Sequence, residues 1–113
     1  MNNTFAIPVN DQGILDAHFG HCKFFMQIRV TDNQIMSVEK LTPPPHEPGV
    51  LPRWLAEQGT TDVIAGGMGQ RAIQIFNQHG VNVFVGAPQG TAEELVEGFM
   101  NETIAFAANY CDH

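Results

Sequence analysis

The chain has 113 residues, of which 43% are hydrophobic and 15% are charged, a composition typical of one ordered globular domain. Its formal net charge is −7 and it has only five Lys and Arg residues, so the composition argues against nucleic-acid binding. Because no signal peptide and no run of about 18 apolar residues is visible, we expect a cytoplasmic protein without membrane contact. Its two cysteines are then expected to be free thiols or metal ligands rather than a disulfide.

The predicted elements follow the order β, ββ, α-β-α-β-α. Strands are expected at 4–8, 24–30, 34–41, 62–65 and 81–85, and the second and third form an antiparallel hairpin around Asp32-Asn33. Helices are expected at 50–58, at 70–79 and after Thr91, which forms a capping box with Glu94. The pattern predicts one α/β domain over residues 1–113, in which helices cover a mixed five-stranded sheet. Residues 102–113 are expected to form a flexible tail.

The segment His18-Phe19-Gly20-His21-Cys22 concentrates two imidazoles and a thiol, all of which coordinate soft or borderline metals. It predicts a metal site on a loop away from the core. The alternative is a turn with two surface histidines and a half-buried cysteine. His46, in a Pro-rich loop, is a further candidate ligand, and its alternative is a solvated loop histidine. Cys111 and His113 are candidates at the chain end, where an ordinary disordered terminus is the alternative.

A glycine-rich turn, Gly66-Gly67-Met68-Gly69-Gln70-Arg71, lies between a predicted strand and a predicted helix. Converging N–H groups at a helix N-terminus form an anion site, and Arg71 adds a positive charge. Gly66, Gly67, Met68, Gly69 and Arg71 are therefore candidate cofactor-binding residues. The alternative is a tight connection that needs close helix–strand packing. The turn is neither a Walker A loop nor a GxGxxG fingerprint.

The two candidate sites are expected to meet. If the first strand is parallel to the strand at 62–65, the loop with His18 and Cys22 and the turn with Gly67 both follow carboxyl strand ends. Open α/β sheets bind ligands at that edge. The sequence has no tight group of carboxylates and no Gly-x-Ser-x-Gly motif, and we expect no enzyme activity.

Three blocks resemble the dinitrogenase iron-molybdenum cofactor-binding family, which groups small stand-alone proteins with NifX, NafY and the NifB carboxyl-terminal domain. They are His18 to Cys22, Pro48 to Leu55 and Asp62 to Gly69, and the resemblance covers roughly Thr4 to Met100. It implies a ribonuclease-H-like α/β fold without nuclease chemistry. It also implies binding of an iron–sulfur or molybdenum–iron–sulfur cluster at His18, His21 and Cys22, with His46 as a further contact.

The expected function is that of a cluster carrier or chaperone in cofactor biosynthesis, related to nitrogen fixation. Its expected partners are the cluster and the proteins that donate or accept it, and it is expected to be a monomer or weak homodimer. The alternative is a regulatory module that binds a small anion or nucleotide at the glycine-rich turn without metal. Substitution of Gly67 or Gly69 by valine is expected to impair binding under either hypothesis, by denying positive φ or close backbone approach.

Overall fold

The computed structural model describes residues 2–17, 19–45, 47 and 49–110, and for His21 it describes the backbone alone. Within these residues the strands are β1 (Asn2–Val9), β2 (Phe24–Thr31), β3 (Gln34–Leu41), β4 (Asp62–Ile64), β5 (Asn82–Val85) and β6 (Ala108–Tyr110). They form one sheet in the order β3-β2-β1-β4-β5-β6. β1, β4 and β5 are mutually parallel, and the other three pair antiparallel with their neighbours. The predicted mixed α/β sheet is confirmed.

The three helices of the described chain are α1 (Val50–Glu57), α2 (Gln70–Gln78) and α3 (Ala92–Met100). They cover both faces of the sheet. Alternate residues of β1 point to opposite faces, so Ala6 packs in a core cluster with α1 and α2, whereas Phe5 and Ile7 pack in a second cluster with α3. None of these helices is long and apolar enough to span a membrane.

Turns and caps follow the sequence signals. Asp32 and Asn33 both have positive φ, 52° and 62°, as a two-residue hairpin turn of the primed type requires. The Thr91–Glu94 capping box is present at the start of α3. Gly59 and Gly80, which follow α1 and α2, have φ of 89° and 74°, as expected of residues that end helices in the left-handed conformation.

The prediction of five strands is wrong, because the residues after α3 add a sixth strand. β6 pairs antiparallel with β5, from Ala108 opposite Val85 to Tyr110 opposite Val83. The Asn77 side chain also donates a hydrogen bond to the Tyr110 carbonyl at 3.2 Å. Tyr110 was expected to hang free, and it is instead fixed on the edge of the sheet. A three-residue edge strand carries no periodicity that the sequence could reveal.

Candidate functional site

A pocket of about 460 Å³ opens at the carboxyl ends of β1 and β4. Its position follows from the sheet, because β1 pairs parallel with β4, Phe5 opposite Asp62 and Ala6 opposite Val63. The loop after β1 and the turn after β4 therefore leave the sheet at the same edge. Ala17, Phe19 and Gly20 line the pocket from that loop. The predicted meeting of these two segments is confirmed by the strand pairing and the shared pocket.

The opposite walls come from the starts of two helices. Gly49, Leu51 and Pro52 line the pocket from the start of α1, and Glu47 lies just before them. The turn after β4 and the first turns of α2 contribute the remaining lining residues, which are Gly67, Met68, Gly69, Arg71, Ala72 and Ile75. Gly66 packs behind the turn, where an added Cβ would lie 3.7 Å from the Ala17 Cα atom.

Two glycines of the turn are not needed for its conformation. Neither Gly67 nor Gly69 has a positive φ, and a Cβ added to either would meet no heavy atom within 4 Å. Gly69 has ordinary extended backbone, with φ −71° and ψ 152°. Of the two reasons for expecting substitutions of these glycines to impair binding, positive φ therefore does not apply. What their lack of a side chain provides is open backbone at the pocket wall, which a ligand can approach closely.

The two helices that begin at the pocket differ from the third in how their N-termini are capped. The N-cap residues of α1 and α2 are Gly49 and Gly69; neither helix has a side-chain cap or an acidic residue in its first turn. α3, whose N-terminus does not line the pocket, has the full capping box and two acidic residues in its first turn. The helix dipole favours an anion at both pocket-facing ends. Free N–H groups add to it mainly at α2, because in the first turn of α1 Pro52 has no N–H and the Val50 N–H donates to the Glu47 carbonyl oxygen.

The side chains of the pocket are chemically simple. Arg71 and Glu47 are the charged ones among the described lining residues, and both are exposed. The remaining side chains in this part of the lining are apolar: Ala17, Phe19, Leu51, Pro52, Met68, Ala72 and Ile75. Directional hydrogen bonds to a ligand would therefore come from Arg71 and from backbone N–H groups, while most of the wall offers apolar contact.

Cys22 lies in the core rather than on a loop away from it. Its side chain is 8% exposed, in the same apolar cluster as Phe19 and Phe25, and its Sγ donates to the Phe19 carbonyl oxygen at 3.4 Å. Burial, and secondly the nearby Asp16 carboxylate, raise the pKa of the thiol to about 12. The thiol is therefore protonated at neutral pH, and Cys22 is not among the residues that line the pocket.

The other predicted metal ligands cannot be placed. His18, His46, Cys111 and His113 lie outside the described residues, and His21 belongs to a short 3₁₀ turn, Phe19–His21, of which only the backbone is described at that position. Among the described residues no group of three His, Cys, Asp or Glu side chains is placed to hold a metal ion.

Sequence reasoning missed the contribution of α1 to the site. Glu47, Gly49, Leu51 and Pro52 belong to a Pro-rich loop and to an apolar helix start, which were interpreted as a connection and as core. Apart from the family resemblance of this segment, their signal was an N-terminus without a Ser, Thr, Asp or Asn cap, at Gly49. That signal becomes informative only when the helix end is known to face a pocket.

An apolar pocket with two uncapped helix ends, at the carboxyl edge of a doubly covered α/β sheet, is typical of proteins that bind a small anionic ligand. The chain belongs to the dinitrogenase iron-molybdenum cofactor family, whose sequence model matches residues 1–102. No curated protein matches the sequence.

Two solved structures are similar to this chain over almost its whole length. PH0822, known from a crystal structure, is 28% identical to this chain, with 95% of both chains covered and a TM-score of 0.84. The apo form of the orange protein from Desulfovibrio gigas is 21% identical, with 94% of this chain and 93% of that protein covered and a TM-score of 0.78. At that identity the likeness shows a shared fold.

Proposed function

We propose that this protein binds an iron–sulfur or molybdenum–iron–sulfur cluster as cargo in the pocket and carries it during cofactor biosynthesis. The observation that carries the proposal is the pair of open glycines, Gly67 and Gly69, between two uncapped helix N-termini. Family membership supports the chemical class of the cargo. The proposal assigns no reaction to the pocket and places the protein among nitrogenase-related maturation factors.

The pocket suits an anion of low charge density. Metal–sulfur clusters are anionic, and their sulfides accept hydrogen bonds from backbone N–H groups and side-chain donors. Arg71 and the N-terminal turn of α2 provide such donors, whereas Phe19, Met68 and Ile75 provide apolar or thioether surface. At the apolar part of this wall a phosphate loses more hydration than a sulfide cluster does, because its oxygens are more strongly hydrated. This contrast favours the cluster over the phosphate-binding alternative.

The assignment of metal ligands remains a prediction within this proposal. His18, His21 and Cys22 are the predicted ligands, with His46 as a further contact and Cys111 and His113 as candidates in the tail. Coordination by Cys22 would require the thiol to lose its proton, which the metal would have to displace against the raised pKa. The ribonuclease-H-like class and the donor and acceptor proteins likewise remain predictions from the family resemblance.

The first experiment is purification without oxygen, followed by iron, molybdenum and sulfide analysis and a visible spectrum. We expect sulfide together with iron or molybdenum in stoichiometric amounts, and charge-transfer absorption. A colourless protein that contains no metal and binds inorganic phosphate would instead support the regulatory alternative.

The second experiment locates the site with a matched pair of tetrahedral anions, tetrathiomolybdate and molybdate. They have the same charge, and the four sulfur atoms of the first are replaced by oxygen in the second. We expect the wild type to bind tetrathiomolybdate at least about tenfold more tightly, because the apolar wall disfavours the more strongly hydrated oxyanion. Gly67→Val should weaken tetrathiomolybdate binding at least about tenfold, because its side chain would enter open space at the wall. The measurement is anaerobic titration followed by absorption.

Gln74→Val is the control, because Gln74 is exposed on α2 and does not line the pocket. It should bind like the wild type. If Gly67→Val remains folded and also binds like the wild type, the pocket is not the site.

A further inference from the structure

Among the described residues that line the pocket, Glu47 is the one whose charge opposes binding of an anion. Its carboxylate is exposed in the lining, and its carbonyl oxygen accepts a hydrogen bond from the Val50 N–H at 3.1 Å, which fixes the backbone at the start of α1. In the described ranges its side chain makes no ion pair, with Arg71 or with any other residue. It also does not cap α1, which has no side-chain cap. Among the residues that the structure describes, no contact therefore accounts for this carboxylate.

The pocket thus has two chemically different sides. Arg71 and the open glycine backbone contribute positive charge and N–H donors from the α2 side. Glu47 contributes a negative oxygen donor from the α1 side. An anion with sulfide on every face would be attracted to the first side and repelled by the second. A cargo that exposes sulfide on one side and a metal ion on the other would be bound favourably by both.

We infer that the Glu47 carboxylate is a ligand for a metal ion on the exposed edge of the cargo, so the pocket binds an asymmetric cluster in one orientation. The inference builds on the proposed function. An oxygen lone pair of Glu47 forms a bond to the metal and one water leaves that metal, with no change of oxidation state. Carboxylate is a suitable ligand for a ferrous ion, which is less soft than copper(I).

The test compares two probes that differ in the presence of such a metal. The first is tetrathiomolybdate, which exposes sulfide alone. The second is tetrathiomolybdate mixed with equimolar ferrous ion, which joins the sulfides and retains exchangeable waters. Glu47→Gln should bind the first probe about two- to fivefold more tightly than the wild type, because an exposed charge repulsion is removed. It should bind the second probe at least about tenfold more weakly, because a metal ligand is lost.

Glu57→Gln is the matched control, because Glu57 is an exposed glutamate at the far end of α1 and does not line the pocket. It removes the same charge and should bind both probes within about twofold of the wild type. Thermal unfolding of both variants without probe measures any loss of stability, so that such a loss can be separated from a change in affinity.

The decisive result is that Glu47→Gln binds tetrathiomolybdate alone more tightly than the wild type and binds the mixture with ferrous ion more weakly. If Glu47→Gln tightens both probes, Glu47 only repels anions and the inference fails. If neither affinity changes, Glu47 is not at the site and the inference also fails. A wild type that binds neither probe would contradict the proposed function itself, which is a separate outcome.

Discussion

At the scale of the residue, burial decides what Cys22 is available to do. The sequence places it beside two histidines, in a pattern typical of metal ligands, but its thiol packs in the core and hydrogen-bonds to the Phe19 carbonyl oxygen. Removal of water from around a thiol disfavours the charged thiolate, which is the form that binds metal. The folded protein therefore favours the neutral thiol unless a metal provides enough binding energy to displace the proton.

The raised pKa of Cys22 predicts a loss of stability at alkaline pH. Its thiol has a pKa of about 12 in the folded chain against an ordinary value of 9.0, so the folded state retains a proton that the unfolded state loses. The stabilising contribution is therefore complete below pH 9.0 and decreases as the pH rises towards about 12. Denaturant unfolding across this window should show a smaller alkaline loss for Cys22→Ala than for the wild type.

Cys111→Ala is the control for this prediction, since it removes the second thiol of the chain and leaves Cys22 in place. It should lose stability at alkaline pH as the wild type does. Equal pH dependence in all three proteins would show that burial of Cys22 does not contribute.

At the scale of the element, similar glycines have different roles. Gly86 follows β5 with φ 78°, and a Cβ added there would collide with Ala107, whose N–H donates to the Val85 carbonyl oxygen at 2.9 Å. This glycine lets the chain return beside β5 and form β6. Gly67, which follows β4, has neither the positive φ nor the close neighbour. The sequence shows both only as glycines near strand ends.

The two glycines predict opposite outcomes for the same substitution. Gly86→Ala should lower the free energy of unfolding by about 1–3 kcal/mol, because it combines a strained φ with overpacking against Ala107. Gly67→Ala should change it by about 0.5 kcal/mol or less, because the added methyl group meets nothing. Denaturant unfolding measures both, and hydrogen exchange at residues 108–110 tests whether β6 detaches. If both substitutions lowered the free energy of unfolding equally, the roles assigned to the two glycines would be wrong.

At the scale of the whole molecule, the fold has enough core to be stable without a cluster. The sheet is covered on both faces, with Leu55 and Phe76 buried on one side and Leu95 and Val96 on the other. A domain of this size folds without a metal to hold it together, in contrast to small zinc domains. This independence is what a carrier needs, since its cargo arrives and leaves while the chain remains folded.

We therefore predict that the apo protein unfolds cooperatively and that a chelator leaves its melting temperature unchanged. Circular dichroism in the presence and absence of chelator measures this. Added tetrathiomolybdate should raise the melting temperature, because a ligand that binds only the folded state stabilises it. A chelated protein that is unfolded at room temperature would mean that a metal is structural, and the carrier proposal would fail.

The sequence by itself determined the elements whose signals are local. Apolar periodicity and turn residues predicted every helix and the first five strands, and the spacing of Thr91 and Glu94 predicted the cap of α3. It also predicted that the glycine-rich turn and the loop before Cys22 lie at one edge of the sheet, where the structure places a shared pocket. It could do so because parallel strands place the segments that follow them at one edge.

Only the tertiary structure decided which residues reach the pocket. Cys22 and Phe19 are close in sequence and pack in the same core cluster, yet Phe19 also lines the pocket and Cys22 does not, because side-chain direction in an irregular loop depends on what the loop packs against. Glu47 enters the site only because α1 packs beside α2. β6 likewise exists only because β5 offers a free edge, since a strand of three residues has no stability of its own.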